Sequence, residues 1–260
     1  MSEPSVRDFY DDLAHDYHLM FRDWDASIAY QAEVLGGLVR QSLGVGPHTV
    51  LDCSCGIGTQ AIGLARAGHH VVGSDLSPVA TARAATEAAA RGSRLPAAAA
   101  DMRQLPFRKA AFDVVLCADN SITHLLSRRD IRAALLGMRR VLRDGGLLVI
   151  TVRAYDETRR TGPTATPPQV SETRDGRVIT FQLWHWHDDG ERYDLEHVQL
   201  IHAENTWQVR VRRATHWALT GRQLTEFVAE AGFTDIVWHS PATSGYYQPV
   251  LTARRAPSAQ

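Results

Sequence analysis

The residues with the clearest chemical content are two aspartates and the small residues between them. Asp52 opens the segment Asp52-Cys53-Ser54-Cys55-Gly56-Ile57-Gly58, and Asp75 follows 23 residues after Asp52. Gly56 and Gly58 carry no Cβ, so the backbone there can approach a ligand closely. An acid at that distance can accept hydrogen bonds from ribose hydroxyls. The chemistry implied is the gripping of a nucleoside. Further along, Asn120, His124 and Arg153 are polar groups at the ends of apolar runs. A guanidinium in such a place can clamp a carboxylate through two hydrogen bonds, unless it pairs with Asp156 or Glu157. Asn120 can orient an amine by its amide oxygen, and His124 can either take a proton or cap the helix beginning at 128.

These groups need a scaffold that brings them to one place. Thr49–Cys53 reads as a strand, 59–67 as a helix stopped by Gly68, and Val71–Asp75 as a second strand. Ser77-Pro78 opens the next helix as N-cap and first helical residue. Ala97–Ala100, Phe112–Ala118 and Leu147–Arg153 read as further strands, with a helix over 128–142. Continuous apolar runs mark strands covered on both faces, as in a parallel sheet. In such folds ligands bind at the carboxyl ends of the strands, where Asp52, Asp75, Asp101, Asp119, Asn120 and Arg153 all fall.

The pattern changes after 155. Residues 156–170 read as a loop, and 177–187, 192–202 and 207–217 as antiparallel strands, with Asp188-Asp189-Gly190 as a hairpin turn. A helix over 221–231 and strands 234–240 and 246–253, a probable hairpin, restore the α/β pattern. Before the sheet, Tyr10, Leu13, Ala14, Tyr17, Phe21 and Trp24 recur at spacings of three and four, a helical stripe placed to act as a lid. Ile28 to Leu43 reads as a second helix. The fold expected is α/β: a doubly wound, Rossmann-like, seven-stranded, mostly parallel sheet. Residues 1–45 form a helical lid, 46–155 with 218–260 the ligand-binding domain, and 156–217 a three-stranded antiparallel insertion.

The chain has 260 residues, 44% of them hydrophobic and 22% charged, with a net charge of −1. That balance fits one large globular α/β domain and disfavours nucleic acid or an anionic membrane as partner. No run of about 18 apolar residues is present, so no membrane span is expected. The polar start Met1-Ser2-Glu3-Pro4 is unlike a signal peptide. Three cysteines, two of them in the glycine turn, suit a reduced cytoplasmic protein in which they act as small buried side chains. His185 and His187 share one strand face with no third ligand nearby, so no metal is expected.

Asp52 to Gly58, Asp75, Asp101-Met102 and Arg143-Asp144-Gly145-Gly146-Leu147 together resemble the class I S-adenosylmethionine-dependent methyltransferases. Asn120-Ser121-Ile122-Thr123-His124-Leu125 and Arg153-Ala154-Tyr155-Asp156 bring the resemblance closer to the glycine/sarcosine N-methyltransferase group. Ser54, where a glycine often sits, and the tryptophans of the insertion depart from it. The resemblance implies S-adenosylmethionine as cofactor and a small-molecule acceptor, with Asn120 and Arg153 holding the acceptor and Tyr10 and Tyr17 closing over the methyl donor. The residues expected against the donor are Tyr17, Trp24, Asp52, Cys53, Gly56, Gly58, Asp75, Leu76, Asp101, Met102 and Asp119. The resemblance also implies a homo-oligomer through exchange of the N-terminal segment. The expected activity is N-methylation of an amino acid or a carboxylate-bearing secondary metabolite. The alternatives are O- or C-methylation with a histidine base, or a non-catalytic module that binds the nucleoside.

Overall fold

The computed structural model describes residues 5–173, 176–203 and 206–257; the polar Met1 to Pro4 lie outside them. Seven strands form the main sheet: β1 (Thr49–Asp52), β2 (His70–Asp75), β3 (Ala97–Ala99), β4 (Phe112–Cys117), β5 (Leu142–Thr151), β10 (Phe233–His239) and β11 (Val250–Arg255). Their order is β10-β11-β5-β4-β1-β2-β3. Only β11 runs antiparallel to its neighbours, pairing with β10 as the expected hairpin. Side chains alternate across each strand, so Val50, Val114 and Leu116 enter one buried cluster while Leu51, Val115 and Cys117 enter the other. Helices cover both faces: α3 (Thr59–Arg66), α4 (Pro78–Ala90), α5 (Arg128–Val141) and α7 (Gly221–Glu230). Ser77 caps α4 as its sequence suggests, its Oγ accepting from the Ala80 N–H at 2.9 Å.

The insertion is an antiparallel sheet of four strands rather than three. β7 (Gly176–Trp186), β8 (Arg192–Ala203) and β9 (Thr206–Trp217) match the sequence reading, and β6 (Gln169–Thr173) is added at the edge. The supposed loop over 156–170 also contains a helix, α6 (Tyr155–Thr161). Both were hidden by three prolines and several threonines, which signal turns more strongly than a short edge strand signals itself.

The N-terminal stripe is not one helix. α1 (Val6–Leu13) ends before a short 3-10 turn, Tyr17–Met20, and α2 (Trp24–Leu43) begins at Trp24 under an Asp23 cap. Tyr10 and Tyr17 therefore sit on different elements. Side-chain bonds tie this segment to both sides of the molecule. Arg83 of α4 donates to the Ala14 and His15 carbonyls at 2.5 and 2.8 Å, and Arg212 of β9 donates to Asp16 at 2.8 Å. Among the described residues no helix is long and apolar enough to cross a membrane.

Helices α2 and α3 meet at Gly63, where an added Cβ would stand 2.5 Å from the Ile28 carbonyl oxygen and 2.6 Å from the Ala32 Cβ. Gly63→Ala should therefore destabilise the fold. Overpacking costs about 1–3 kcal/mol, against a helix-propensity gain of about 1 kcal/mol. Thermal unfolding should show a melting temperature a few degrees lower; an unchanged or higher value would refute this packing.

Candidate functional site

Parallel strands in this order deliver the ends of β1, β2 and β4 to one edge, and a cavity of about 380 Å³ lies across them. Its lining includes Tyr10, Tyr17, Cys53, Gly56, Asp75, Leu76, Asp101, Met102 and Asp119. Gly56 sits at φ +50°, and no atom lies within 4 Å of where its Cβ would stand. Its N–H donates to Asp75 Oδ2 at 2.8 Å, and the Ser77 N–H donates to Oδ1 at 2.9 Å. The glycine turn and the acid thus form one unit, with the open side of the backbone toward the cavity.

Aspartates dominate this edge, although Arg7 and Arg103 also line the cavity. Asp52 is fully buried beneath the cavity; Oδ1 accepts from the Ser54 N–H at 3.3 Å and Oδ2 has no partner. Burial raises its pKa to about 8 against the Ser54 hydrogen bond, with Asp75 and Asp119 pushing the same way. Burial also raises Asp75 and Asp119. Asp119 accepts from Gln60 at 2.6 Å, from the Tyr246 hydroxyl at 3.0 Å and from Tyr247. Among the described residues none of the three aspartates is in a salt bridge. A cationic ligand with ribose hydroxyls fits this set; an anionic one does not.

Besides Asp52, two expected donor contacts are absent from the cavity lining, Trp24 and Gly58. Trp24 does not line the cavity; its Nε1 donates to Thr59 Oγ1 at 3.0 Å, and the Arg91 guanidinium lies 4.6 Å from its ring centre. Gly58 caps α3, and a Cβ there would meet Ile62 at 2.9 Å, so close packing requires this glycine. Asp101 lines the cavity with its carboxylate already held by Arg103 at 2.6 Å.

A second cavity, of about 1100 Å³, shares Tyr10, Tyr17 and Asp119 with the first. Asn120 and Arg153 line it. Arg153 Nη2 donates to Gln182 Oε1 at 2.9 Å, its guanidinium sits 4.7 Å from the Trp184 ring centre, and its Nε has no partner. The two carboxylates nearest in sequence are used elsewhere: Asp156 accepts from the Gly221 N–H at 2.8 Å, and Glu157 pairs with Arg160 at 3.6 Å. Asn120 is more fixed than its sequence position suggested. Its Oδ1 accepts from the Arg153 N–H at 3.2 Å and its Nδ2 donates to the Tyr155 hydroxyl at 2.8 Å.

Aromatic contacts connect the cavities. Trp184 stacks on Tyr193 at 4.7 Å, Tyr193 on His216 at 5.2 Å, His216 meets His124 at 4.1 Å, and His124 meets Tyr10 edge-on at 5.3 Å. His124 does not cap α5; Ser127 does, and His124 Nε2 instead lies 2.7 Å from the Tyr10 hydroxyl. His185 and His187 are on the other face of the insertion sheet, beside Glu196 and Asp194. Gln60, Gln182, Tyr246 and Tyr247 were not singled out from sequence, since single glutamines and tyrosines carry no motif.

A family model described as "Methyltransferase domain" matches residues 50–146. These residues form a class I S-adenosylmethionine-dependent methyltransferase domain. The glycine/sarcosine N-methyltransferase of Parasynechococcus marenigrum (strain WH8102) is 36% identical over 135 residues, 52% of this chain and 47% of the relative. The chain thus spans about half the length of that relative. A sugar N-methyltransferase from Streptoalloteichus has a TM-score of 0.75 at 22% identity, over 93% of each chain. An amino pentose methyltransferase from Micromonospora echinaspora, solved with S-adenosylmethionine bound, has a TM-score of 0.71 at 19% identity, over 88% of this chain and 92% of that one. These two likenesses carry the fold.

S-adenosylmethionine is the cofactor of this methyltransferase domain, and the aspartates at the cavity suit its cationic sulfonium. A bound cation favours ionised carboxylates, so binding should release protons. Because Asp52 holds its proton up to about pH 8, affinity for S-adenosylmethionine should rise from pH 6 to pH 8.5. Calorimetry in buffers of different ionisation enthalpy reads this directly. Asp52→Asn should flatten the profile, and net proton uptake would contradict it.

Proposed function

We propose that this chain transfers a methyl group from S-adenosylmethionine to a nitrogen of a small molecule that carries a carboxylate. The observation that supports this reading is the Arg153 guanidinium: it faces the second cavity without a carboxylate partner among the described residues, and that cavity borders the donor cavity at Tyr10, Tyr17 and Asp119. S-adenosylmethionine, when bound, supplies the methyl group as an electrophile. The chain's own contribution is position. Arg153 holds the carboxylate, with Gln182 and Trp184 fixing the guanidinium plane. Tyr10 and Tyr17 present aromatic faces that attract cations at the border of the cavities. The tethered N-terminal segment and the insertion sheet exclude water. An amine held about 3 Å from the methyl carbon gains most of its rate from alignment, without a strong base.

A second reading, O- or C-methylation, draws on the Tyr10–His124 contact, which could take a proton from an acceptor hydroxyl. Burial holds the His124 pKa down at about 4, so the ring is neutral at pH 7. Under N-methylation His124→Ala should keep substantial turnover; its complete loss would favour the base.

Incubating cell extract with a labelled donor and identifying the labelled product by mass names the acceptor. Donor binding without any labelled product would favour a sensing module over an enzyme. With the acceptor in hand, Arg153→Met should raise its KM by roughly 10–100-fold, the loss of charge-assisted hydrogen bonds, while the Kd for S-adenosylmethionine stays within about twofold. Equal loss of both would remove the carboxylate clamp.

A further inference from the structure

One polar side chain in the acceptor cavity is left without a role by this scheme. His197 of β8 is 2% exposed and lines the second cavity, and neither ring nitrogen has a hydrogen-bond partner. Buried polar groups are nearly always hydrogen-bonded, so a ring with both nitrogens unpaired points to a ligand.

Its neighbours say where that ligand lies. In the antiparallel ladder His197 stands opposite Gln182 of β7 and Arg212 of β9. Residues directly opposite share a face, with Cβ atoms about 4.5–5.5 Å apart. Gln182 is the residue that holds Arg153. Arg153, Gln182 and His197 therefore form one row along the cavity wall. Neither neighbour's polar atoms reach the imidazole. Gln182 Oε1 accepts from Arg153 and from Trp184 Nε1, and Arg212 donates to Asp16, to Gln199 and to the Asp12 carbonyl. Burial and the Arg212 charge hold the ring neutral, its pKa down at about 4, against a smaller effect of Asp16. A neutral imidazole offers one donor and one lone pair. A hydroxyl can pair with either nitrogen, accepting from the N–H or donating to the lone pair, whereas a carboxylate can only accept.

We propose that His197 is a specificity residue that binds a hydroxyl on the acceptor, so that the acceptor is an amino acid, or an analogue of one, with a hydroxylated side chain. This rests on the reading that the acceptor carboxylate sits on Arg153. Glycine, with its carboxylate on Arg153, has no atoms to extend along the row to His197. The cavity, at about 1100 Å³, also slightly exceeds the roughly 300–1,000 Å³ usual for small-molecule sites, far more than glycine fills.

The test compares amine pairs that differ by one hydroxyl: alanine with serine, 2-aminobutyrate with threonine, phenylalanine with tyrosine. Methyl transfer from S-adenosylmethionine is measured as kcat/KM. The wild type should favour the hydroxylated member of at least one pair by about tenfold or more, because a site built around a hydroxyl rejects its deoxy analogue. His197→Phe should bring that member down to its partner and leave the partner within about twofold. His197→Asn, which keeps a donor and an acceptor, should retain part of the preference. Unchanged donor binding shows that the variants are folded, and if His197→Phe does not fold, the wild-type pairs and His197→Asn decide. Transfer without discrimination, or discrimination that survives His197→Phe, overturns the role of His197 alone. No transfer to any of the six overturns the carboxylate reading and this inference with it.

Discussion

Three acidic side chains outside any salt bridge among the described residues, Asp52 and Asp75 buried and Asp119 half-buried, are the constraint on which the site depends. Asp52, Asp75 and Asp119 end up together because parallel strands β1, β2 and β4 all point their carboxyl ends to one edge. Removing carboxylates from water is costly unless something pairs with them. The protein stabilises them in part, through the Gly56 and Ser77 amides on Asp75 and the Gln60, Tyr246 and Tyr247 donors on Asp119. It leaves one oxygen of Asp52 without a partner. A sulfonium beside this edge offsets the cost of ionisation, so that Asp52, which otherwise holds its proton up to about pH 8, can release it. The same burial that makes the edge costly in the empty protein strengthens its hold on a cation, because fields act over longer distances where water is excluded.

The rest of the fold serves the boundary of that site. The N-terminal segment is tethered to α4 by Arg83 and to β9 by Arg212, so the main domain and the insertion hold one covering piece between them. The contacts from Trp184 through Tyr193, His216 and His124 to Tyr10 run from the Arg153 side of the second cavity to the wall shared with the first. Of the insertion tryptophans, Trp184 begins this series of contacts between the two cavities.

Most of the sheet and most of the first cavity's lining could be read in the sequence, because both rest on local patterns. Apolar runs mark β1, β2 and β4, and a glycine turn followed by an acid at the next strand end marks the cavity edge. Trp24 misled because a stripe of aromatics at helical spacing does not reveal that the helix breaks after Leu13 and restarts at Asp23. Gly58 misled because a glycine needed for packing looks the same as one needed for a ligand. The acceptor side was less legible. Gln182 and His197 face each other only through strand register, and Tyr246 and Tyr247 reach Asp119 across more than a hundred residues of chain. Such pairings are tertiary, and no local spacing signals them.

The central claim is that the acidic edge of the sheet holds the adenosyl sulfonium with its sulfur at the wall between the cavities. A crystal structure with S-adenosylmethionine or S-adenosylhomocysteine bound tests it most directly. The expected result is ribose hydroxyls on the Asp75 carboxylate and sulfur beside Tyr10, Tyr17 and Asp119. A ligand bound away from Asp75, or one whose sulfur faces away from the Arg153 cavity, would contradict it.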